Sequence, residues 1–180
     1  LQSTAANIRP GGLICISATD TSALCGTYHD PCFRKYGAQP QKTEYCHENG
    51  IRILIASIAR NLAVNQKYME VLFSHSTEHY MRVYGIVKRG SKKTNESLDN
   101  IGFIAHCPNC LHREYSYGYA PHLPECCPEC GEKYDIAGPL WLGSIWDKDF
   151  IKRTMDSLVE LKLNKKDEVL KLLGQCYDEA

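Results

Sequence analysis

Four cysteines in two matching pairs are the feature that most constrains the fold of this chain. Cys107 and Cys110 lie in a CPNC motif, Cys127 and Cys130 lie in a CPEC motif, and sixteen residues separate the pairs. Two CxxC turns that face each other supply the four thiolates of a tetrahedral zinc site. The spacing therefore predicts a structural zinc ribbon over residues 107–130, with these four cysteines as the Zn²⁺ ligands.

Other potential ligands lie near the ribbon but fit its spacing less well. Cys126 is the rival of Cys127, yet three residues would then separate it from Cys130 and the two turns would no longer match. Three histidines could replace a cysteine only if one turn failed to form: His106, His112 and His122. A site closed by four sulfurs has no open coordination position, so we expect it to stabilise the fold and to take no part in chemistry.

Composition limits the class of protein. The chain has 180 residues, 21 basic and 21 acidic side chains and a formal net charge of zero, so a nucleic acid must be met by a local basic patch. No apolar run approaches the length of a membrane span, and the first residues, LQSTAANIRPGG, lack the pattern of a signal peptide. We therefore expect a cytoplasmic protein without membrane contact, or a nuclear one if the source is eukaryotic. In such a reducing compartment CxxC pairs more often bind metal than form disulfides.

The apolar run from Leu13 to Ala18 has the composition of a buried parallel strand. Ligands of open α/β sheets bind beyond the carboxyl ends of the strands, which places Asp20 and Thr21 at a candidate substrate site. The alternative is that Asp20 caps the turn that follows. Cys15 and Cys46 are expected to be buried as small apolar residues, and Cys25 has no partner that the sequence reveals.

Helices and strands alternate along the rest of the chain, which favours an α/β layer. The pattern predicts a helix over 1–8, a short helix ending at Gly37, a long helix over about 44–65 and two strands up to residue 89. A basic connector, KRGSKKTNES, and the strand NIGFIAH then lead into the ribbon. Two helices follow the ribbon, with Asp147 and Asn164 as expected N-caps.

Four segments carry a resemblance, and they occur in order from Gly11 to about Asp147: GGLICISATDTSALCGTY, CFRKYGAQPQKTEYCHENGIRILIASIAR, SHSTEHYMRVYGIVKRG and AGPLWLGSIWD. They resemble the tRNA (guanine-26 N2)-dimethyltransferase family. The resemblance implies transfer of methyl groups from S-adenosylmethionine to the exocyclic N2 of a guanine in tRNA. It also implies the C-terminal part of a Rossmann-like methyltransferase sheet over residues 1–89, followed by an α+β tRNA-binding domain with the four-cysteine zinc ribbon over residues 90–180.

The chain departs from the family pattern in two motifs. The glycine-rich methyl-donor site and the Asp-Pro-Phe-Gly motif beside the target guanine precede, in the family, the strand that here begins at Leu13, and neither motif occurs in this chain. The catalytic residues are therefore not among those available, and no residue is assigned to donor binding. We expect a fragment that is inactive alone and that works with the donor-binding half, for which a second chain is one source.

Candidate tRNA contacts come from three places. Arg34 and Lys35 adjoin an aromatic ring at Tyr36, a combination that suits a phosphate and a stacked base, although an exposed helix face explains it equally well. Arg52 lies on the long helix that the resemblance places on the active-site side, but it could simply pair with Glu48, four residues earlier.

The densest basic cluster lies in KRGSKK, beside the expected domain junction. Phosphate contacts dominate the affinity of proteins for nucleic acids, so this cluster is a candidate tRNA contact, with an ordinary exposed connector as the alternative. Its members are Lys88, Arg89, Lys92 and Lys93.

Two other classes of function are compatible with the sequence. One is a zinc-ribbon RNA-binding module that has no donor site, and the other is a docking subunit that completes an enzyme on another chain. The HSTEH segment has histidines four residues apart, but its surroundings have the period of strands, which argues against a metal site there.

Overall fold

Seven helices and six strands make up the fold, which a computed structural model describes over residues 1–180. The elements are α1 (Gln2–Asn7), β1 (Leu13–Ala18), α2 (Thr21–Leu24), α3 (His29–Tyr36), α4 (Cys46–Ala63), β2 (Lys67–Thr77), β3 (Tyr80–Arg89), α5 (Ser91–Leu98), β4 (Ile101–His106), β5 (Arg113–Tyr117), β6 (Asp135–Trp141), α6 (Lys148–Val159) and α7 (Lys166–Glu179). None of the helices is long and apolar enough to span a membrane.

The first sheet has the strand order β1-β3-β2. β3 pairs antiparallel with both neighbours, so β1 and β2 run parallel to each other on either side of it. The predicted strand from Leu13 to Ala18 is confirmed, but the prediction of a buried strand with a parallel neighbour is wrong within this chain. Ile14 and Ala18 are buried while Leu13 is 61% exposed, because β1 lies at the edge of the sheet and packs on one face only.

Helix α4 is the centre of the fold, since it packs against β2 and β3 of the first sheet and against β6 of the second. Ile53, Ile55 and Ile58 are buried on different sides of it. A helix that is apolar on all sides is one that other elements enclose, and each such side chain contributes about 1.5–3 kcal/mol by its burial. The prediction of a long helix is confirmed, with ends at residues 46 and 63 instead of 44 and 65.

A glycine permits the close approach of α4 to the first sheet. A Cβ atom at Gly50 would lie 2.5 Å from the Met81 Cε atom of β3 and 3.1 Å from the Leu24 Cβ atom of α2. Gly50 therefore brings the first turns of α4, and the residues before them, against the segment that follows β1.

The second sheet has the order β5-β4-β6, with antiparallel pairing throughout. The prediction of a basic connector before it is wrong, because Lys88 and Arg89 end β3 and the residues from Ser91 onwards form helix α5. The buried face of α5 contains few residues: Thr94 is buried, and Leu98, four residues later, packs against the main core. The predicted domain boundary at residues 89/90 falls between β3 and α5 and stays a prediction.

The two C-terminal helices pack on β2 through a small separate cluster that includes Phe73, Ile151 and Leu173. Asp147 is the N-cap of α6 as predicted, because its carboxylate accepts a hydrogen bond of 2.9 Å from the Phe150 backbone nitrogen. The prediction for the last helix is wrong by one residue, since Lys165 is the N-cap of α7 and has a left-handed backbone.

Candidate metal centre and nucleic-acid interface

The four ribbon cysteines meet in space. Their sulfur atoms all lie within 4.8 Å of one another, with 3.4 Å from Cys107 to Cys130 and 3.5 Å from Cys110 to Cys127. Tetrahedral zinc with Zn–S bonds of about 2.3 Å requires sulfurs about 3.8 Å apart. The cluster therefore has the donor type, number and spacing of a closed zinc site after small outward shifts of the sulfurs.

The two CxxC turns have the same backbone geometry. The Leu111 nitrogen donates to the Cys107 carbonyl at 3.0 Å, and the Gly131 nitrogen donates to the Cys127 carbonyl at 2.8 Å. Both donors have positive φ angles, 64° at Leu111 and 76° at Gly131, which close each turn around its sulfurs. This repetition explains why the motif could be read from spacing alone.

Backbone amides favour thiolates in the second turn. A hydrogen bond from the backbone of Glu132 is the main cause that lowers the pKa of the Cys130 thiol to about 7. Burial opposes ionisation of Cys127, but backbone hydrogen bonds from Glu129 and Cys130 outweigh it and lower the pKa of that thiol. Metal ligation requires thiolates, so these amides favour metal binding.

The rival ligands do not join the four-sulfur group. Cys126 is exposed and forms a β-bridge with Lys133. The His106 Nδ1 atom lies 3.0 Å from the Tyr45 hydroxyl, and His112 lies 3.5 Å from Glu114. The choice of cysteines made from the spacing therefore agrees with their placement.

Asp20, at the end of β1, is held by two residues of α3. Its carboxylate accepts hydrogen bonds from Lys35 Nζ at 2.8 Å and from the Tyr36 hydroxyl at 2.5 Å. Burial would raise the pKa of Asp20, but these bonds outweigh it and hold that pKa below its ordinary value. Asp20 occupies the N-cap position of α2, as the capping alternative expects, but its side chain makes no capping hydrogen bond and binds Lys35 and Tyr36 instead.

The candidate tRNA contacts of α3 and α4 differ in whether their side chains already bind other groups of the protein. Lys35 is engaged by Asp20, whereas Arg34 beside it is exposed. Arg52 pairs with Glu48 at 2.8 Å and donates to the carbonyls of Trp141 and Gly143 at 2.8 and 3.0 Å. Arg52 thus joins α4 to the end of β6, and its guanidinium is already occupied by protein partners.

The basic cluster at the junction is partly neutralised by acidic neighbours. Lys88 pairs with Glu70 at 2.7 Å, and Glu96 lies 2.8 Å from Lys93 and 4.0 Å from Lys92. Arg89 is exposed and takes no part in these pairs. The lysines must exchange exposed carboxylates for phosphates, whereas Arg89 is free to bind one.

A stripe on β5 was missed in the sequence. Arg113, Tyr115 and Tyr117 alternate along the strand on one exposed face, and the two tyrosine rings meet edge to face at 5.8 Å. The Arg113 guanidinium lies 4.4 Å from the ring centre of Tyr45. We call Arg113, Tyr115 and Tyr117 the β5 stripe; the alternation REYSY was the signal that could have revealed it.

The β5 stripe borders a cavity of about 370 Å³ between α4 and the second sheet. Asn49 of α4 lines this cavity and is only 1% exposed, and its side-chain Nδ2 has no hydrogen-bond partner. A buried donor without a partner costs free energy, and a ligand with an acceptor atom would relieve that cost. The cavity therefore combines aromatic rings, a guanidinium and an unsatisfied amide, which are the groups that contact unpaired bases.

Comparison with known proteins gives one consistent result. The family model described as N2,N2-dimethylguanosine tRNA methyltransferase matches residues 1–180. The chain is 78% identical over 179 residues to the tRNA (guanine(26)-N(2))-dimethyltransferase of Methanosphaera stadtmanae, covering 99% of this chain and 46% of the relative. It is 56% identical over 172 residues to the enzyme of the same name from Methanobrevibacter smithii, covering 96% of this chain and 44% of the relative. The chain thus spans about half the length of these relatives.

A solved structure has the same fold. Trm1 from Pyrococcus horikoshii, in complex with S-adenosyl-L-methionine, superposes with a TM-score of 0.88 at 31% identity. The match covers 98% of this chain and 45% of that one. The α/β architecture described above is therefore shared with an experimentally determined protein.

Proposed function

The chain belongs to the N2,N2-dimethylguanosine tRNA methyltransferase family, and we propose that it forms part of an enzyme that dimethylates N2 of the guanine at position 26 of tRNA. The methyl donor would be S-adenosylmethionine, which is bound in the structurally similar protein. The observation that carries this proposal is the family match over the whole of residues 1–180.

The chemistry sets what the protein must do. The exocyclic amine of guanine is a weak nucleophile because its lone pair is delocalised into the ring, so a carboxylate must accept its proton. The base must also leave its stack to reach the donor. Asp20 is held by Lys35 and Tyr36, and a carboxylate with a lowered pKa is a poor proton acceptor. We assign Asp20 to positioning of the end of β1 and Thr21, the first residue of α2, to the edge of the pocket that would receive the guanine at this strand end, which we call the base pocket.

The surface that binds tRNA includes the β5 stripe in this proposal. Tyrosine rings stack with unpaired bases, and a guanidinium beside them binds a phosphate. The basic cluster extends this surface through Arg89, with Arg34 on α3 as a further contact for phosphate. The exposed face of β5 supports the proposal because both tyrosines are more than half exposed, 68% at Tyr115 and 53% at Tyr117.

Zinc in the ribbon would stabilise that surface. The Cys107 nitrogen donates to the His112 carbonyl at 2.9 Å, and Arg113, the first residue of β5, follows directly. Zn²⁺ held by Cys107, Cys110, Cys127 and Cys130 would therefore fix the start of the β5 stripe. The role of the metal would be structural, since four protein sulfurs leave no position for a substrate.

The arrangement of the first sheet supports a Rossmann-like origin for residues 1–89. β1 and β2 run parallel and are connected through α4, as in a βαβ unit, with β3 inserted between them. Residues 90–180 would form the tRNA-binding part. The donor site would then be supplied by further sequence of the enzyme or by a second chain.

The test measures methyl transfer and binding separately. An enzyme that contains this chain should transfer labelled methyl groups to an unmodified tRNA transcript and should lose that activity when guanine 26 is replaced by adenine. The 180-residue chain alone should bind the transcript more tightly than an unrelated hairpin of equal length over a salt series. Equal, salt-sensitive binding to both RNAs would refute the assignment of tRNA recognition to these residues.

A further inference from the structure

Three side chains outside the ribbon form a second cluster of metal-binding groups. Cys25 follows α2 directly, and Cys46 and His47 are the first two residues of α4. The two sulfurs and the imidazole nitrogen all lie within 4.8 Å of one another, although twenty residues separate Cys25 from Cys46. The packing of α2 against α4 through Gly50 brings them together.

The spacing of the cluster suits a tetrahedral ion. Zn–S bonds of about 2.3 Å and Zn–N bonds of about 2.05 Å place sulfur and nitrogen about 3.5 Å apart in a tetrahedral site. The Cys25 Sγ atom lies 3.6 Å from the His47 Nδ1 atom. Nδ1 therefore faces the cluster, and its present contact with the Ser76 hydroxyl at 3.1 Å would be replaced by the metal when Nδ1 becomes a ligand.

We propose that Cys25, Cys46 and His47 bind a zinc ion that is distinct from the ion of the ribbon. Two thiolates and one imidazole are a donor set for zinc, and three protein ligands leave the fourth position open. Cys25 and Cys46 are half-buried and His47 is exposed, so solvent reaches that position.

A role for Cys25 as a nucleophile fits the site less well. Burial is the main cause that raises the pKa of the Cys25 thiol to about 12, and the neighbouring Cys46 raises it further. Zinc displaces the thiol protons when it binds. The two neighbouring cysteines disfavour a free thiolate in the absence of metal, but both can be thiolate ligands once zinc is bound.

The ion would cross-link two parts of the proposed base pocket. It would join the residue after α2 to the first turn of α4 and so close the segment 26–45, which includes α3 with Lys35 and Tyr36. These are the two residues that hold Asp20. The site thus stabilises the strand end through ligands that lie outside the ribbon.

The experiment counts metal ions in the 180-residue chain after dialysis against buffered zinc under reducing conditions. We expect about two zinc equivalents in the unaltered chain, about one in C25S/C46S and about one in C107S/C110S, because each site has its own ligands. With cobalt in place of zinc, the thiolate-to-metal absorption should fall by about one third in C25S/C46S, as two of six thiolates are lost.

Two single variants keep the test independent of folding. His47→Gln changes an exposed side chain and should remove the second equivalent, whereas His79→Gln, at a side chain that is 92% exposed and outside the cluster, should retain both. Circular dichroism and the midpoint of thermal unfolding check that each variant folds.

Three results would overturn the proposal. The first is a single equivalent in the unaltered chain that persists in His47→Gln, and the second is loss of both equivalents in C107S/C110S while the chain stays folded. The third is a Cys25–Cys46 disulfide, found by mass spectrometry under the same reducing conditions, with no second equivalent. Each result can be read without any measurement of methyl transfer, so failure here is distinguishable from failure of the proposed function.

Discussion

Replacement of Tyr115 by alanine tests the β5 stripe most directly. Tyr115 is 68% exposed, and its ring contacts Tyr117 edge to face at 5.8 Å, so the substitution removes a stacking surface from an exposed strand without opening a cavity in the core. Stacking of one base on an aromatic side chain contributes about 1–3 kcal/mol. We therefore expect the Kd for unmodified tRNA to rise about 5- to 150-fold.

Fluorescence anisotropy of a labelled tRNA transcript over a salt series provides the assay. Stacking releases no counterions, so the slope of log K against log salt should stay the same in Tyr115→Ala. In Arg113→Ala, by contrast, the slope should become shallower by about 0.9, because one phosphate contact is lost.

Tyr115→Phe is the matched control, since it keeps the ring and removes only the hydroxyl. It should bind as the unaltered chain does. An unchanged Kd in Tyr115→Ala, or an equal loss in Tyr115→Phe, would refute the stacking role. A lowered thermal midpoint in Tyr115→Ala would show that the residue acts through folding instead.

Three further predictions concern stability. Lys67 Nζ donates at 2.9 Å to the carbonyls of Ala5, Ala6 and Ile8 at the end of α1, so Lys67→Met should lower the free energy of unfolding in urea by about 2–3 kcal/mol, and a loss below about 0.5 kcal/mol would contradict this. Removal of zinc with a chelator should lower the thermal midpoint of the unaltered chain by more than that of a chain whose four ribbon cysteines are serines, which keeps only the second proposed site; equal shifts in both would argue against a structural zinc in the ribbon. Because the pKa of Asp20 is lowered in the folded state, its carboxylate contributes to the free energy of unfolding above the ordinary pKa of 3.8, and this contribution is lost as the pH falls through the lower folded-state pKa. The free energy of unfolding of Asp20→Asn should therefore fall less steeply on acidification than that of the unaltered chain. Parallel curves of unfolding free energy against pH would exclude this linkage.

Local patterns determined a large part of this protein. The spacing of the ribbon cysteines predicts the two CxxC turns, because each turn is closed by its own backbone hydrogen bonds. The length of α4 and the burial of its isoleucines likewise follow from the helical period and the apolar composition of the segment. The Asp147 cap of α6 is also local, because its hydrogen bond joins residues only three positions apart. Such features depend on neighbours within one turn, which the sequence places directly.

The tertiary structure decided which distant residues became partners. The strand that pairs with β1 is β3, which lies about seventy residues later in the chain and runs antiparallel to it. The composition of β1 carries no information about so distant a partner, and for this reason it predicted a parallel neighbour. Asp20 meets Lys35, and Cys25 meets His47, only because α2, α3 and α4 pack against one another.

The sequence by itself therefore determined the family, the cysteines of the two CxxC turns and most of the helices and strands, because those signals are short-range or lie in contiguous motifs. Only the tertiary structure decided that Arg52 binds backbone carbonyls, that the basic cluster is partly paired, and that the face of β5 is exposed. Pairing and exposure depend on which surfaces the core covers, and a core assembles from segments far apart along the chain.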